Sequence, residues 1–344
     1  MIRRKSKRSD YRGDGHVEPS GEFPCGDTIG TALISGFTFL SKAVNYVVIN
    51  GMAVVEGDIN IGPVEQVREY TEARRAQLLG KHVPKALLGA GCFGVGWPDW
   101  VVPYQIASDL PNHERVVGAI DHWQENTKAE FVERTSDNQG EYPNYIEFVP
   151  SVSCRSRVGR DPLGGRQTVD LADDCTTGNC IHEIGHAVGL WHEHSRLDRD
   201  MFVTINWGNI EPGMESNFAQ KIADGDDFGP YDYGSIMHYP RNAFSRNGLD
   251  TITPTDPDAE IGQRDGLSTG DKAAVNLVLL PAIPLVRELS LTVAHQKIAQ
   301  RGLMSKTFGY QGRGAWVQTQ SPAFDDRATR SDVVEIFCRS GQVP

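Results

Sequence analysis

Apolar positions recur along this chain with two different periods, and the switch from one to the other lays out its elements. Ala43-Val44-Asn45-Tyr46-Val47-Val48-Ile49 and Met52-Ala53-Val54-Val55 are β-branched runs separated by Asn50-Gly51, a turn signal, so residues 36–62 read as strands with a hairpin at their centre. Residues 64–79 are polar and helix-forming, and they stop at Gly80. After Pro111-Asn112, Val116, Val117, Ile120 and Trp123 return at helical spacing, which predicts an amphipathic helix over 113–128 packed on a sheet. The strands of that sheet are expected at 99–107, 144–150 and 167–171. A further helix is expected to open near Gly178-Asn179, with an Asn or Thr cap, and to stop at Gly189. Beyond it the pattern is irregular, apart from 202–206 and a final helix capped by Ser268 or Thr269.

Composition narrows what such a chain can do. Its 344 residues suffice for one large or two ordinary domains, and no internal repeat is visible. Thirty-four Lys and Arg against 45 Asp and Glu give a net charge of -11, which argues against sequence-independent nucleic-acid binding and favours peptide partners. The apolar stretches near Ala32–Leu40 and Ala43–Val55 are broken by Ser, Gly, Lys and Asn and fall short of the ~20 residues of a membrane span. The basic run Arg3-Arg4-Lys5-Lys7-Arg8 precedes a polar, glycine-rich stretch rather than an apolar one, so no clear signal peptide is visible.

The chemistry sits in His182-Glu183-Ile184-Gly185-His186-Ala187-Val188-Gly189-Leu190-Trp191-His192. Two histidines four apart stand on one helix face and can aim at a single ion, with Glu183 pointing to the same opening. Gly189 permits a left-handed cap, and the chain can then turn so that His192 arrives as a third ligand from outside the helix. Three protein ligands leave the fourth tetrahedral position open for water, the arrangement of a catalytic rather than a structural zinc. The run fits H-E-x-x-H-x-x-G-x-x-H, the zinc signature of metzincin peptidases.

Flanking residues narrow the class. His192-Glu193-His194-Ser195-Arg196-Leu197-Asp198-Arg199-Asp200 resembles the H-E-H-x-R-x-D-R-D run of the astacin family, and Ser235-Ile236-Met237-His238-Tyr239 resembles its Met-turn. Trp100-Val101-Val102-Pro103-Tyr104 is similar to the family's first strand, and Ile261-Gly262-Gln263-Arg264 with Leu267, Ser268 and Asp271 resembles its last segment, so that the likeness covers most of residues 97–279. The resemblance implies one zinc ion (Zn2+) per chain on His182, His186 and His192, with Glu183 and Tyr239 as catalytic groups. It implies Met237 as the floor beneath the ligands and Glu193 as a nearby carboxylate that receives the new N-terminus after activation. Glu56-Gly57-Asp58 resembles the end of the F-x-G-D motif of astacin propeptides, with Val55 in place of the aromatic residue. That makes Asp58 a latency switch, a carboxylate offered in cis where the catalytic water would sit. Arg74-Arg75, Lys81 and Lys85 offer cleavage sites, and activation is expected between about 75 and 96.

Six cysteines lie at 25, 92, 154, 175, 180 and 338. The resemblance implies a disulfide between Cys154 and Cys175, with Cys180 as the rival partner. The family's second bridge has lost both ends, since Lys128 stands at one position and 276–280 contains no cysteine. A surviving bridge favours an oxidising compartment.

The expected fold is therefore α+β: a two-lobed metzincin (zincin-like) catalytic domain at 91–280, with a twisted mixed sheet and a zinc helix, preceded by a small propeptide at 36–90. Residues 1–35 are expected to be a disordered N-terminal segment, and 281–344 an extension of unknown function, with loops across 308–316. Gly89-Ala90-Gly91-Cys92-Phe93-Gly94 satisfies a dinucleotide fingerprint, but Trp97-Pro98 follows where a helix would have to begin. Asp224–Asp227 and Asp256–Asp258 fail the calcium-loop pattern. The resemblance implies a secreted or extracellular zinc endopeptidase made as a latent zymogen, monomeric, with protein or peptide substrates and an activating protease, and with no nucleic-acid or membrane partner. The alternatives are a catalytically silent zinc-containing peptide-binding module and a gluzincin, the latter needing a distant glutamate that His192 makes unnecessary.

Overall fold

In the computed structural model, residues 29–34, 42–82, 96–161, 163–220, 227–278, 308–311 and 315–318 are described. The apolar runs of the catalytic region form the middle of one sheet: β5 (Val101–Ile106), β7 (Tyr145–Pro150) and β9 (Arg166–Leu171) run parallel, as Tyr104↔Ile146 and Phe148↔Val169 register them. Strands buried on both faces carry near-continuous apolar side chains, and Val102, Ile146, Phe148, Val169 and Leu171 are wholly enclosed here. A short strand, β6 (Glu130–Glu133), joins parallel to β5, and β8 (Arg155–Ser156) joins antiparallel to β9.

The N-terminal segment extends that sheet. Four antiparallel strands, β1 (Ile29–Ile34), β2 (Lys42–Ile49), β3 (Met52–Val55) and β4 (Ile59–Pro63), form a meander, and β4 runs parallel to β8 through Ile59↔Ser156. The complete order is β1-β2-β3-β4-β8-β9-β7-β5-β6. Asn50 and Gly51 turn the β2–β3 hairpin with positive φ, as their sequence predicts. Helix α1 (Val64–Leu78) follows and ends in a turn at Gly80.

Two helices pack on the central sheet: α2 (Glu114–Asn126), which buries Val116, Ile120 and Trp123, and α3 (Thr177–Val188), every residue of which from Gly178 onward is buried. Trp123 Nε1 donates to Ile181 O at 3.0 Å and locks the two together. Gly178 is required at the start of α3, because a β-carbon there would lie 1.8 Å from Arg264 O. Below α3 the chain is mostly irregular. Strand β10 (Val203–Ile205) pairs with β11 (Ile252–Pro254), and the final helix α4 (Thr269–Val278) is capped by Ser268, whose Oγ accepts from Asp271 N. The lower lobe has its own core of Val203, Ile205, Phe218, Tyr239, Phe244 and Ile252, into which the hairpin inserts Val47, Ile49 and Val54.

Two expectations are corrected. Residues 29–34 are not part of a disordered segment, because Ala32 and Ile34 alternate into a core with Val44, Tyr46 and Val67, and Thr71 Oγ1 on α1 accepts from Leu33 N. Residues 308–311 and 315–316 are not loops: β12 (Phe308–Gln311) pairs antiparallel with β13 (Ala315–Gln318), where the aromatic and β-branched residues favour strands. Where the second disulfide is missing, Lys128 Nζ lies 5.8 Å above the Trp100 ring. The basic run at 3–8, the glycine run at 89–94, Lys85, Asp224–Asp226 and Cys25, Cys92 and Cys338 lie outside the described residues. Asp256 and Asp258 form an exposed turn.

Candidate active site

Helix α3 is fixed at both ends before it presents anything. Thr176 Oγ1 accepts from Asn179 N at 3.2 Å while Asn179 Oδ1 accepts from Thr176 N at 2.9 Å, a reciprocal capping box. The Cys154–Cys175 disulfide forms just ahead of it and ties the approach to α3 to the loop before β8; Cys180 is a free, buried thiol, and burial pushes its pKa up to about 12. At the other end Gly189 takes φ 118°, closing the helix in a left-handed cap. The chain turns there as expected and brings His192 back toward the helix, its ring 5.3 Å from that of His182 and 4.7 Å from that of His186.

The Asp58 carboxylate meets all three imidazoles. Asp58 Oδ2 lies 3.2 Å from His182 Nε2 and 3.1 Å from His192 Nε2, and Oδ1 lies 3.5 Å from His186 Nε2. Donors bound tetrahedrally to one zinc at the usual ~2.0 Å stand about 3.3 Å apart, so these separations suit four ligands of one ion. His186 Nε2 and Asp58 Oδ1 are enclosed and have no hydrogen-bond partner among the described residues. A buried polar atom left in that state is costly, and a cation satisfies both at once. Among the described residues, Asp58, His182, His186 and His192 are the cluster able to hold a metal, with ligand atoms all within 4.8 Å of one another.

The protonation states agree. Burial opposes charge on Asp58, but the facing His192 and His186 outweigh it and hold its pKa well below the usual carboxylate range. Burial, assisted by Arg264, lowers His182 to about 3 and leaves it a neutral imidazole with a lone pair. His192 is opposed by burial too, yet Asp58 and Glu56 draw it up to about 9. The pocket thus calls for positive charge, which a metal ion supplies in place of a proton.

Each ring is oriented from behind through Nδ1. His182 donates to Ile236 O at 2.7 Å, His186 to Leu190 O at 2.8 Å and His192 to Glu56 Oε2 at 2.9 Å. Met237 lies buried beneath α3, where a β-carbon on Gly185 would come within 2.6 Å of its Sδ, so helix and turn touch without a spacer. Asp271 holds that turn, accepting from Ser235 Oγ at 2.6 Å and Ile236 N at 2.9 Å, while Arg264 donates to Ile236 O and His238 O.

Glu183 is fully buried on α3, between the two helical histidines in sequence. Tyr239 stacks on His194 with ring centroids 3.8 Å apart, sets its edge 4.6 Å from His192, and donates its hydroxyl to Glu56 O. Glu193 directly follows His192 in the chain. Its Oε1 accepts from Asp232 N at 2.8 Å, with Arg196 Nε 3.5 Å away, and burial pushes its pKa up to about 8.

Sequence reasoning placed the histidines, Glu183, Met237, Tyr239 and Asp58 in one region, and the structure brings them together. It missed Glu56, Arg264 and Asp271 as parts of the site. The Ser268-x-x-Asp271 spacing was a capping signal in plain view, but nothing local announces that the same carboxylate reaches Ile236.

A mixed α+β sheet carrying an H-E-x-x-H helix, with a third histidine beyond a glycine turn and a methionine floor below, defines a metzincin-type zinc site. The family model for Astacin, a peptidase family, matches residues 94–279, and the chain belongs to that family. It is 41% identical over 187 residues to zinc metalloproteinase nas-13 of Caenorhabditis elegans, covering 53% of this chain and 40% of that one. To the nematocyst expressed protein 6 of Nematostella vectensis it is 40% identical over 196 residues, covering 53% and 64%. A solved structure, the hatching enzyme zinc-protease high choriolytic enzyme 1 of Oryzias latipes, is 38% identical, covers 54% of this chain and 94% of that one, and superposes with a TM-score of 0.48. The match to nas-13 thus spans well under two thirds of that relative's length. No helix among the described residues is long and apolar enough to cross a membrane.

Proposed function

We propose that this chain is a latent zinc endopeptidase whose N-terminal segment is a propeptide with Asp58 as its switch. The observation that carries the reading is the Asp58 carboxylate, 3.1–3.5 Å from the Nε2 atoms of three histidines that otherwise leave one ligand position open. His182, His186 and His192 would hold a zinc ion, which when bound would supply Lewis acidity to a water and to the scissile carbonyl. Glu183 takes the proton of the attacking water and returns it to the leaving amine. Tyr239, once released from Glu56 O, offers its hydroxyl to the oxyanion that develops in the transition state. With β4 gone, β8 becomes a sheet edge where an extended polypeptide can add as a strand, taking up Ser156 N, which now donates to Asp58 O at 2.9 Å. Internal peptide bonds of proteins are therefore the substrate class.

Removal of the segment calls for another protease. Arg74 is buried in α1 and Arg75 is paired there with Glu72 at 2.6 Å, so the exposed Lys81 beyond the Gly80 turn is the better target. The new N-terminus would then be received by Glu193. The Cys154–Cys175 disulfide suits an oxidising, extracellular setting.

The test is limited proteolysis with a trypsin-like enzyme, followed by hydrolysis of a denatured protein. The reading expects a mature N-terminus between about 75 and 96 by mass spectrometry and turnover that a zinc chelator abolishes and zinc restores. A cleaved, zinc-loaded chain that bound peptides and never hydrolysed them would instead be the silent module.

A further inference from the structure

The three ligand histidines are oriented from behind in two different ways. His182 and His186 donate Nδ1–H to backbone carbonyls of the catalytic region, Ile236 O and Leu190 O, and keep those partners whatever happens to the N-terminal segment. His192 donates to a carboxylate of that segment, Glu56 Oε2, at 2.9 Å, and both side chains are shut off from solvent. Glu56 reaches because its backbone at the β3–β4 turn is left-handed, with φ 48°. Its carbonyl receives the Tyr239 hydroxyl while its side chain runs to His192.

A carboxylate behind a metal-binding imidazole fixes the tautomer and makes the other ring nitrogen a stronger donor. We infer that Glu56 is a positioning residue for the metal, so that the N-terminal segment supplies both a ligand, Asp58, and the charged partner of a second ligand, His192. The uncleaved chain then holds zinc more tightly than the cleaved one, and metal loading belongs to the uncleaved form. This rests on the reading of Asp58 and the three histidines as zinc donors, but it concerns a residue that does not touch the ion. Cleavage removes two aids to zinc binding at once and leaves His192 without its carboxylate.

The experiment is competition for zinc between the intact chain and a chromophoric chelator, for wild type, Glu56→Gln, Glu56→Ala and Asp58→Asn, with folding checked by circular dichroism. Glu56→Gln keeps the shape and an acceptor but loses the charge, and is expected to weaken zinc binding about 10–100-fold, with Glu56→Ala at least as weak. In nitrogen-15-labelled protein the His192 Nδ1–H resonance should move in Glu56→Gln and disappear in Glu56→Ala, while those of His182 and His186 stay. After proteolytic activation the Glu56→Gln and wild-type proteins should bind zinc equally, because the residue has left. Should Glu56→Ala fail to fold, Glu56→Gln decides alone. Unchanged affinity and an unmoved His192 resonance in Glu56→Gln, with weakened zinc in Asp58→Asn, would overturn the inference and spare the zinc site. Unchanged affinity in Asp58→Asn would overturn the donor assignment itself.

Discussion

His182 and His186 stand one helical turn apart on α3, whereas the carboxylate that faces them, Asp58, comes from 124 residues before His182 on a turn between two strands. The catalytic half of the site inherits its geometry from short-range structure: a capping box, a glycine cap, a disulfide and the Met237 turn. Among the described residues the latching half has no disulfide and no capping box. It is held by longer-range contacts: the Ile59↔Ser156 pair to β8, Asn60 Nδ2 donating to Asp170 Oδ2, Lys42 Nζ donating to Gln220 O, Glu56 on His192, and hairpin side chains in the lower core. In the activation proposed above, the machinery that persists is built into the domain, while the segment that leaves is docked on its sheet and lower core. Along the same division, Tyr239 bonds to the N-terminal segment, while the Nδ1 atoms of His182 and His186 bond within residues 94–279.

The comparison can be broken by mutating each half. Glu183→Gln belongs to the persisting half and should keep zinc by chelator competition, yet lower peptide hydrolysis by the activated chain about 10³-fold; appreciable remaining turnover would remove the general-base role. Tyr239→Phe should lower kcat by about 10²-fold with KM little changed, and steady-state kinetics showing an effect confined to KM would count against oxyanion stabilisation. The latching half should respond more mildly. Gly57 has φ 77°, and a β-carbon on it would meet Phe244 Cζ at 2.6 Å, so Gly57→Ala should strain the latch by about 1–3 kcal/mol. Faster proteolytic activation of this variant, with unchanged activity afterwards, is the expected result. Equal activation rates would show that the turn is not under the constraint described.

What could be read from the sequence follows the same line. His182, His186, Gly189 and His192 were legible because helical spacing and a glycine cap fix their geometry within a few residues. The α2 helix and strands β5, β7 and β9 were legible from their apolar periods, and the β2–β3 hairpin from Asn50-Gly51. Glu56 was not, because its contact with His192 spans 136 residues and depends on how the meander docks. Arg264 and Asp271 were read only as family-like positions, since no local pattern tells that a helix-cap carboxylate will also hold the Met237 turn. Strand β1 was missed because only Ala32 and Ile34 declare its buried face, and its pairing partner lies beyond a break in the pattern.

The central claim is that the fourth metal position is taken by Asp58 in the uncleaved chain. It is tested most directly by replacing zinc with cobalt in the intact protein and titrating a small metal-directed hydroxamate, reading the cobalt visible spectrum, with mass spectrometry confirming that no cleavage has occurred. The wild-type spectrum should stay unchanged at hydroxamate concentrations that fully shift the spectrum of Asp58→Ala. A wild-type chain whose spectrum shifted at the same concentration as the variant would contradict the account.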